Sequence, residues 1–436
     1  MKKKFLAITI IMSFMLAITA CKGAASQTGA SDGSGADSGT ASSAESAASQ
    51  SGEYDGIIAS MAEATDTGDI EMTQEMYDKA FLNLGNSYRI SKLLKKAAAG
   101  KDITIAYLGG SITDGSNANP KATSCYAYLS TKWWQDTFPD ITVNYVNAGI
   151  GATDSYIGIH RLNDDVLSYN PDLVIVEYSV NDTKTWNKET YDSILKQTLS
   201  YESEPAVIAL LLAAENSSFA DIHAPVAFKY SVPIITYSAL LGYKLLEWDQ
   251  VGDSDGVHPL STGHSVIANL LTTYYRQALE NIYESDDSYT IPTASVTAAK
   301  YVGADLLYSS ELENAVSDFT CEGFESVTGP GFMKGENTMW KTESAGTMSF
   351  TLECKSFGII YYQMKSNDEK YADYSVYVDG ELKGTMDSAN ATTWGNNASY
   401  LEFLSDKESA THKIEIVPAE GVSGTTFSMI GMCINK

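Results

Sequence analysis

The sequence predicts an α/β domain of three αβα layers, built on a five-stranded parallel sheet, followed by an antiparallel β-sandwich. Two observations support this prediction. Between about Lys101 and Tyr283, apolar runs alternate with amphipathic stretches, which is the pattern of a parallel sheet covered by helices on both faces. After Asp287 the runs are shorter and alternate apolar with polar residues, which is typical of strands with one buried face.

Five apolar runs predict the strands of the parallel sheet, and a helical stretch follows each of them. The predicted strands are ITIAYLG (103–109), VNYVNAG (143–149), LVIVEYSV (173–180), AVIALLLA (206–213) and VPIITYSA (232–239). The predicted helices are 124–138, 155–169, 189–201, 217–230 and 261–283, and a further helix, 74–99, leads into the first strand.

Short alternating runs near the end of the chain predict the sandwich. They are MSFTLE (348–353), GIIYYQM (358–364), DYSVYVDGELKGTM (373–386), HKIEIVP (412–418) and FSMIGMCIN (427–435). Asp379-Gly380 predicts a tight hairpin, because this pair favours the two-residue turn that joins antiparallel strands. We place the α/β domain at residues 53–286, with a helical lead-in, and the sandwich at residues 287–436.

The N-terminus has the pattern of a bacterial lipoprotein signal peptide, predicted at residues 1–20. Three lysines precede an apolar run that is too short to cross a bilayer, and small residues stand before Cys21. This resemblance to a lipobox implies that Cys21 carries a lipid anchor, which places the protein on the outer side of the cell membrane. Residues 21–52 are almost wholly Ser, Ala, Gly, Thr, Asp and Gln, so we expect a disordered linker.

Composition excludes several classes of function. The chain carries 29 basic and 55 acidic residues, a formal net charge of −26, which argues against nucleic-acid partners and a polybasic membrane patch. Four further cysteines show no C-x-x-C spacing, so no zinc site or thioredoxin-type motif is predicted. They are Cys125, Cys321, Cys354 and Cys433, and either a disulfide among the last three or free buried thiols is compatible with the sequence.

Polar residues follow predicted strands at their carboxyl ends, where ligands bind in open α/β sheets. Ser111 follows the first strand, Gly151 the second and Asn181 the third, whereas Asp255 and His258 lie in a loop after the fifth. A serine hydroxyl becomes a nucleophile when an imidazole takes its proton and a carboxylate orients that imidazole. Ser111, His258 and Asp255 can supply these groups. The main-chain N–H groups of Ser111 and Gly151, with the Asn181 amide, can bind an oxyanion.

The blocks around these residues resemble the SGNH hydrolase superfamily, also called the GDSL family. The blocks are GGSIT (109–113), NAGIGAT (147–153), VEYSVND (176–182) and DGVHPLSTGH (255–264). The resemblance covers roughly residues 84–283 and implies a three-layer, flavodoxin-like αβα domain. The sequence departs from the commoner GDS form at Gly110, where that form has an aspartate.

The resemblance also implies a role for each residue of the predicted site. Ser111 is the implied nucleophile and His258 the base, which Asp255 orients. Gly151 and Asn181 complete the implied oxyanion hole. No metal or cofactor is expected.

Other polar residues have simpler interpretations. Arg161 could touch substrate, but a position on a helix surface is the simpler prediction. Glu177 is predicted as a hydrogen-bonded structural carboxylate within a strand, and His264 as a helix-start residue rather than a ligand. His223 and His412 have no partner that the sequence identifies. Several aromatic residues of the predicted sandwich could include a sugar-stacking platform, although alternate strand residues face inward and most are expected in the core. They are Trp340, Tyr361, Tyr362, Tyr371, Tyr374, Tyr377, Trp394 and Tyr400.

The combined pattern predicts a cell-surface serine esterase that hydrolyses O-acyl esters, chiefly O-acetyl esters on polysaccharide, through an acyl-enzyme. A lipase-like or lysophospholipase-like esterase acting on short acyl chains is an alternative. A non-catalytic, glycan-binding surface lipoprotein is another. We expect an acylated carbohydrate or other ester as substrate and no required protein partner. We also expect residues 287–436 to be dispensable for hydrolysis of small esters.

Overall fold

A six-stranded mixed sheet organises the first part of the chain, and a sheet of mainly antiparallel strands organises the last part. The computed structural model of the chain describes residues 52–333, 336–364, 370–388 and 397–436. The predicted signal peptide, Cys21 and all but the last residue of the predicted linker lie outside the described residues, as does Trp394. In the described ranges, no helix combines the length and apolar character that crossing a bilayer requires.

The helices and strands are numbered in chain order. The helices are α1 (Asp55–Ser60), α2 (Gln74–Ala80), α3 (Tyr88–Ala98), α4 (Ser111–Asp114), α5 (Lys121–Ser124), α6 (Tyr126–Thr137), α7 (Ser155–His160), α8 (Leu162–Asp165), α9 (Asn187–Leu199), α10 (Ala220–Lys229), α11 (Tyr237–Gly242), α12 (Trp248–Val251), α13 (Ser261–Glu280) and α14 (Leu312–Ala315), with 3₁₀ turns at Leu167–Tyr169 and Ile282–Glu284. The strands are β1 (Phe81–Asn83), β2 (Ile103–Gly109), β3 (Val143–Gly149), β4 (Leu173–Glu177), β5 (Ala206–Leu211), β6 (Ile234–Thr236), β7 (Ala304–Tyr308), β8 (Ser317–Met333), β9 (Glu336–Gln363), β10 (Tyr374–Val378), β11 (Glu381–Met386), β12 (Asn397–Pro418) and β13 (Phe427–Asn435).

The first sheet has the strand order β1-β6-β5-β4-β2-β3, and β2 to β6 run parallel. The five predicted parallel strands are confirmed. Their order is flavodoxin-like, because β3 lies on one side of β2 and β4, β5 and β6 follow on the other side. The prediction of an all-parallel, five-stranded sheet is wrong in one respect. The short strand β1 adds an antiparallel sixth strand at the edge beside β6.

The single lead-in helix predicted at 74–99 is also wrong, because two helices flank β1. Asn83, Gly85 and Asn86 interrupt the helical pattern, and all three are poor helix formers. The edge of the sheet offers this segment other hydrogen bonds. The Asn83 side chain donates to the Val232 carbonyl at 3.2 Å, and the Asn86 N–H donates to the Ser231 carbonyl at 2.6 Å.

Helices cover both faces of the parallel sheet, which confirms the three-layer αβα architecture. Alternate residues of β2 point to opposite faces, as a strand requires. Ile105 and Tyr107 pack in an apolar cluster with α3, α6 and α13, whereas Ala106 and Leu108 pack in a second cluster with α7, α9 and α10. The neighbouring strand β4 is buried along its whole length.

The last part of the chain forms the predicted sandwich. The strands β9 and β12 pair along two successive segments with an irregularity between Ser405 and Ala410, and apolar residues of both segments share one core. Asp379 and Gly380 both have positive φ angles, 53° and 81°, so the predicted hairpin between β10 and β11 is confirmed. The sandwich is not wholly antiparallel, because β13 lies beside β9 and runs parallel to it.

The sandwich packs on the α/β domain through apolar contacts. Tyr301, Ile360, Ile430 and Cys433 join the cluster that covers the α7 face of the parallel sheet. The four cysteines are unpaired thiols; Cys433 and two others are buried. The shared apolar cluster fixes the sandwich against the face of the sheet that carries α7 and α9.

Candidate active site

The strand β2 ends directly at the turn that carries Ser111. A Cβ atom at Gly109 would lie 2.1 Å from Thr113 Oγ1, and one at Gly110 would lie 2.3 Å from Asn181 Oδ1. Real Cβ atoms do not approach other atoms so closely, and at Gly109 the Cβ would also meet the Glu177 carbonyl oxygen at 2.7 Å, so this position requires glycine. A side chain at Gly110, such as the aspartate of the GDS form, would require the Asn181 side chain to move.

A chain of hydrogen bonds joins Ser111, His258 and Asp255. Ser111 Oγ lies 2.8 Å from His258 Nε2, and His258 Nδ1 lies 2.6 Å from Asp255 Oδ2. The other oxygen of the carboxylate, Oδ1, accepts the main-chain N–H groups of Val257 (2.8 Å) and His258 (2.9 Å), which fixes the loop. The structure therefore brings together the three side chains that the sequence predicts to act together.

Hydrogen bonding controls the charge of Asp255. Burial acts to raise the pKa of its carboxyl group, but hydrogen bonds from the His258 ring and from the main chain of His258 and Val257 outweigh that effect. The pKa of Asp255 therefore lies below its usual value. An ionised carboxylate at this position favours a proton on His258 Nδ1, so that the lone pair of Nε2 faces the Ser111 hydroxyl.

The two other predicted residues lie beside Ser111. A methyl group at Gly151 would lie 3.8 Å from Ser111 Cβ, and the Asn181 side chain contacts Gly110. The loop of Gly151 is held against the nucleophile turn, because the Ile150 N–H donates to the Gly109 carbonyl at 3.1 Å. All five predicted residues therefore converge at the carboxyl ends of β2, β3 and β4. Their chemical roles stay predictions at this point.

His264 links the histidine loop to the segment after Ser111. It is the fourth residue of α13 and is fully buried. Its Nε2 lies 3.0 Å from the Ser116 carbonyl oxygen, and its Nδ1 accepts the Tyr126 N–H at 3.3 Å. Burial lowers the pKa of His264 to about 4, so the ring stays neutral and Nε2 is the donor. The predicted helix-start residue is thus a bridge between two parts of the site.

Arg161 is not on a helix surface, so that prediction is wrong. Its side chain has no exposed area and lies behind the end of β2. It donates to the Gly109 carbonyl (3.0 Å), to Tyr178 Oη (2.9 Å) and to Asp165 (2.7 Å). Arg161 therefore holds the carboxyl end of β2, two residues before Ser111, through its hydrogen bond to the Gly109 carbonyl. Asp165 is only four residues away, but Gly109 and Tyr178 belong to other segments, so the local pattern does not reveal the burial of Arg161.

Glu177 is a buried carboxyl group beneath the same turn, in agreement with the structural role predicted for it. Its side chain has no exposed area, and Oε2 lies 3.4 Å from Thr113 Oγ1. Burial, with a smaller contribution from Asp182, raises the pKa of Glu177 to about 7, although hydrogen bonds from Val180, Thr113 and Gly110 oppose that rise. The group is therefore partly protonated near neutral pH.

Asp182 connects the loop after β4 to α7. It accepts the Ser155 N–H at 2.8 Å and the Ser155 hydroxyl at 2.7 Å, and it lies 2.8 Å from His223 Nε2. His223 also stacks on Tyr191 with ring centroids 3.8 Å apart. The partner of His223 is thus Asp182, the residue next to Asn181 in the chain. Within the described ranges, no group of three His, Cys, Asp or Glu residues is arranged to hold a metal ion.

Two solved structures are similar to this chain over most of its length. One is a two-domain esterase (CEX) active on acetylated mannans, co-crystallized with mannopentaose. It is 26% identical with a TM-score of 0.71, and the match covers 83% of this chain and 98% of that chain. The other is a two-domain esterase (CEX) active on acetylated mannans, 26% identical with a TM-score of 0.70, covering 83% of this chain and 99% of that chain.

A match of this extent is longer than either predicted domain, so it includes parts of both the α/β domain and the sandwich. No protein-family model matches the sequence, and no curated protein matches it.

Substitution Gly110→Ala tests the packing of the turn. The new methyl group displaces the Asn181 side chain, so kcat/KM for p-nitrophenyl acetate should fall about 100-fold, as for loss of one oxyanion donor. The control is Gly242→Ala, because no atom lies within 4 Å of a Cβ built at Gly242. A Gly110→Ala enzyme with the kcat/KM of the unsubstituted protein would contradict this assignment.

Substitution Glu177→Gln tests the buried carboxyl group. Its folded pKa, about 7, lies above its ordinary value of 4.5, so the folded state binds a proton that the unfolded state releases. The stabilising contribution of the Glu177 carboxyl group to the free energy of unfolding is therefore fully present below pH 4.5. It is lost as the pH rises through 7, and the loss is at most about 3 kcal/mol. Urea unfolding at pH 5 and pH 8 measures the free energy of unfolding of both proteins. The value for Glu177→Gln minus that for the unsubstituted protein should be more positive at pH 8 than at pH 5.

The control for this measurement is Glu280→Gln, which removes an exposed carboxylate at the end of α13. Equal differences in unfolding free energy at both pH values for Glu177→Gln would show that Glu177 does not titrate in this window.

Proposed function

We propose that the chain is an ester hydrolase of the SGNH superfamily and, more specifically, a cell-surface serine esterase that removes O-acyl groups, chiefly O-acetyl groups, from polysaccharide. The observation that carries the proposal is the Ser111–His258–Asp255 chain of hydrogen bonds. It lies at the carboxyl ends of the strands, in a chain similar along most of its length to a two-domain esterase active on acetylated mannans.

The first half of the reaction forms an acyl-enzyme. Ser111 Oγ attacks the ester carbonyl carbon while His258 Nε2 takes the hydroxyl proton, and Asp255 stabilises the resulting imidazolium. The negative oxygen of the tetrahedral intermediate accepts hydrogen bonds from the main-chain N–H groups of Ser111 and Gly151 and from the Asn181 amide. The bond to the sugar oxygen then breaks, and that oxygen receives the proton from His258.

The second half releases the acid. A water molecule attacks the acyl carbon of the Ser111 ester while His258 takes one of its protons. The same oxyanion donors stabilise the second tetrahedral intermediate, and its collapse returns the proton to Ser111 Oγ. The products are a carboxylic acid and a free sugar hydroxyl, and Ser111 and His258 return to their starting protonation states.

A groove next to the catalytic loop has a mixed lining. The Glu215 N–H donates to the Gly256 carbonyl at 3.0 Å, which holds the segment after β5 against the loop of His258. The groove that begins at this segment is lined by polar residues such as Asn216 and Asp221 and by apolar residues such as Leu82 and Leu241. Its polar side chains can hydrogen-bond to a hydroxyl-rich substrate.

A lipid anchor on Cys21, as the lipobox pattern predicts, would tether the enzyme at the cell surface. Cys21 lies outside the described residues.

The proposal predicts a preference for acetyl esters. With p-nitrophenyl acetate, butyrate and octanoate, kcat/KM should be highest for acetate and at least about tenfold lower for octanoate. Acetate should also be released from acetylated mannan, measured against the same polymer without enzyme. A preference for octanoate would support lipolysis instead. No turnover of any ester would support a non-catalytic, glycan-binding protein.

Substitution Ser111→Ala should lower kcat for p-nitrophenyl acetate by at least about 10⁴-fold, because no other group forms the acyl-enzyme. Ser124→Ala, at a partly exposed serine in the same region, is the matched control and should be unchanged. Circular dichroism melting checks that both variants fold. Substantial turnover by a folded Ser111→Ala protein would show that another residue is the nucleophile.

A further inference from the structure

Tyr400 reaches from the sandwich into the α/β domain. It lies in β12 and stacks on Tyr156, the second residue of α7, with ring centroids 4.5 Å apart and planes 9° from parallel. Its ring also meets the edge of Trp186 at 6.4 Å and lies 6.0 Å from Lys184 Nζ. Lys184 and Trp186 belong to the loop that follows Asn181, so one side chain of the sandwich contacts two neighbouring parts of the α/β domain.

The Tyr400 hydroxyl donates to Asp154 Oδ2. Asp154 is the N-cap of α7, since its Oδ1 accepts the N–H groups of Tyr156 (3.1 Å) and Ile157 (3.3 Å). The Asn187 amide donates to the same Oδ2 at 3.3 Å. Asp154 stands three residues after Gly151, so this cap fixes the end of the short loop that carries Gly151.

The two loops beside Ser111 are joined at the same place. Ser155 follows Asp154 and donates twice to Asp182, which follows Asn181. Burial, with a contribution from Asp182, raises the pKa of Asp154 to about 6, and the hydrogen bond from Tyr400 opposes this rise. The Tyr400 hydroxyl therefore helps to keep a negative cap on α7 although a second carboxylate is nearby.

We propose that Tyr400 is a positioning residue for the oxyanion hole: through Asp154 and the Asn181 loop, the sandwich holds the Gly151 N–H and the Asn181 amide in register with Ser111. This inference rests on the proposed function and extends it to the sandwich. From the sequence alone, residues 287–436 are expected to be dispensable for small esters. The contacts of Tyr400 predict instead that hydrolysis of even the smallest ester depends on them.

Substitution Tyr400→Phe tests this role, because it keeps the ring stacked on Tyr156 and removes only the hydroxyl. Oxyanion donors act in the transition state, so kcat for p-nitrophenyl acetate should fall about tenfold while KM stays within about twofold. Tyr374→Phe is the matched control. It removes a hydroxyl that donates to the Gly346 carbonyl at 3.0 Å, from a ring stacked on Phe427 within the sandwich core.

The expected result is a lower kcat for Tyr400→Phe alone, with both variants folded by circular dichroism. Equal kcat values for Tyr400→Phe and the unsubstituted enzyme would overturn the inference while leaving the proposed function intact. An equal loss of kcat in Tyr374→Phe would also overturn it, because the effect would then report general stability of the sandwich. An unsubstituted protein without turnover would instead overturn the proposed function.

If Tyr400→Phe folds poorly at the assay temperature, all variants can be measured at a lower temperature. A double-mutant cycle with Asp154→Asn then tests the inference. If Tyr400 acts through Asp154, the double variant should have the kcat of Asp154→Asn, within about twofold. Multiplied losses of kcat from the two substitutions would show that Tyr400 does not act through Asp154.

Discussion

The hydrogen bond between Ser111 and His258 is the contact on which the proposed chemistry depends, and it joins residues 147 positions apart in the chain. Its geometry follows from where β2 ends and where α13 begins. Two glycines let β2 turn beneath Ser111, and Asp255 and His264 hold the loop of His258 from either side. The 2.8 Å distance between Ser111 Oγ and His258 Nε2 therefore depends on several elements of the α/β domain.

Buried carboxylates tie the loops around this contact together. Glu177 lies beneath the nucleophile turn, Asp182 joins the Asn181 loop to α7, and Asp154 caps that helix. Placing three acidic groups near a developing oxyanion is unfavourable unless each is hydrogen-bonded or protonated. The donors come from main-chain N–H groups, Ser155, His223 and Tyr400, so the loops that must be rigid are also those in which every carboxylate has a partner.

The sequence predicts the parallel strands, the Asp379-Gly380 hairpin and the five residues that converge on the site, because strand ends and short motifs are local features. It misses what depends on contacts between distant segments. The edge strand β1 forms because β6 offers partners, and Arg161 is buried because Gly109, Tyr178 and Asp165 surround it. In the sequence, Tyr400 is one of several aromatic residues of the sandwich, and nothing local marks it out, because its partner Asp154 lies 246 positions away.

The most direct test of the account is labelling with diisopropyl fluorophosphate, which reacts with a serine activated by a histidine and an oxyanion hole. After treatment of the full chain, mass spectrometry of the digested protein should find one phosphoryl group, on the peptide that contains Ser111, together with loss of esterase activity. Loss of activity with the adduct on a different residue, or an active enzyme that takes up no label, would contradict the account.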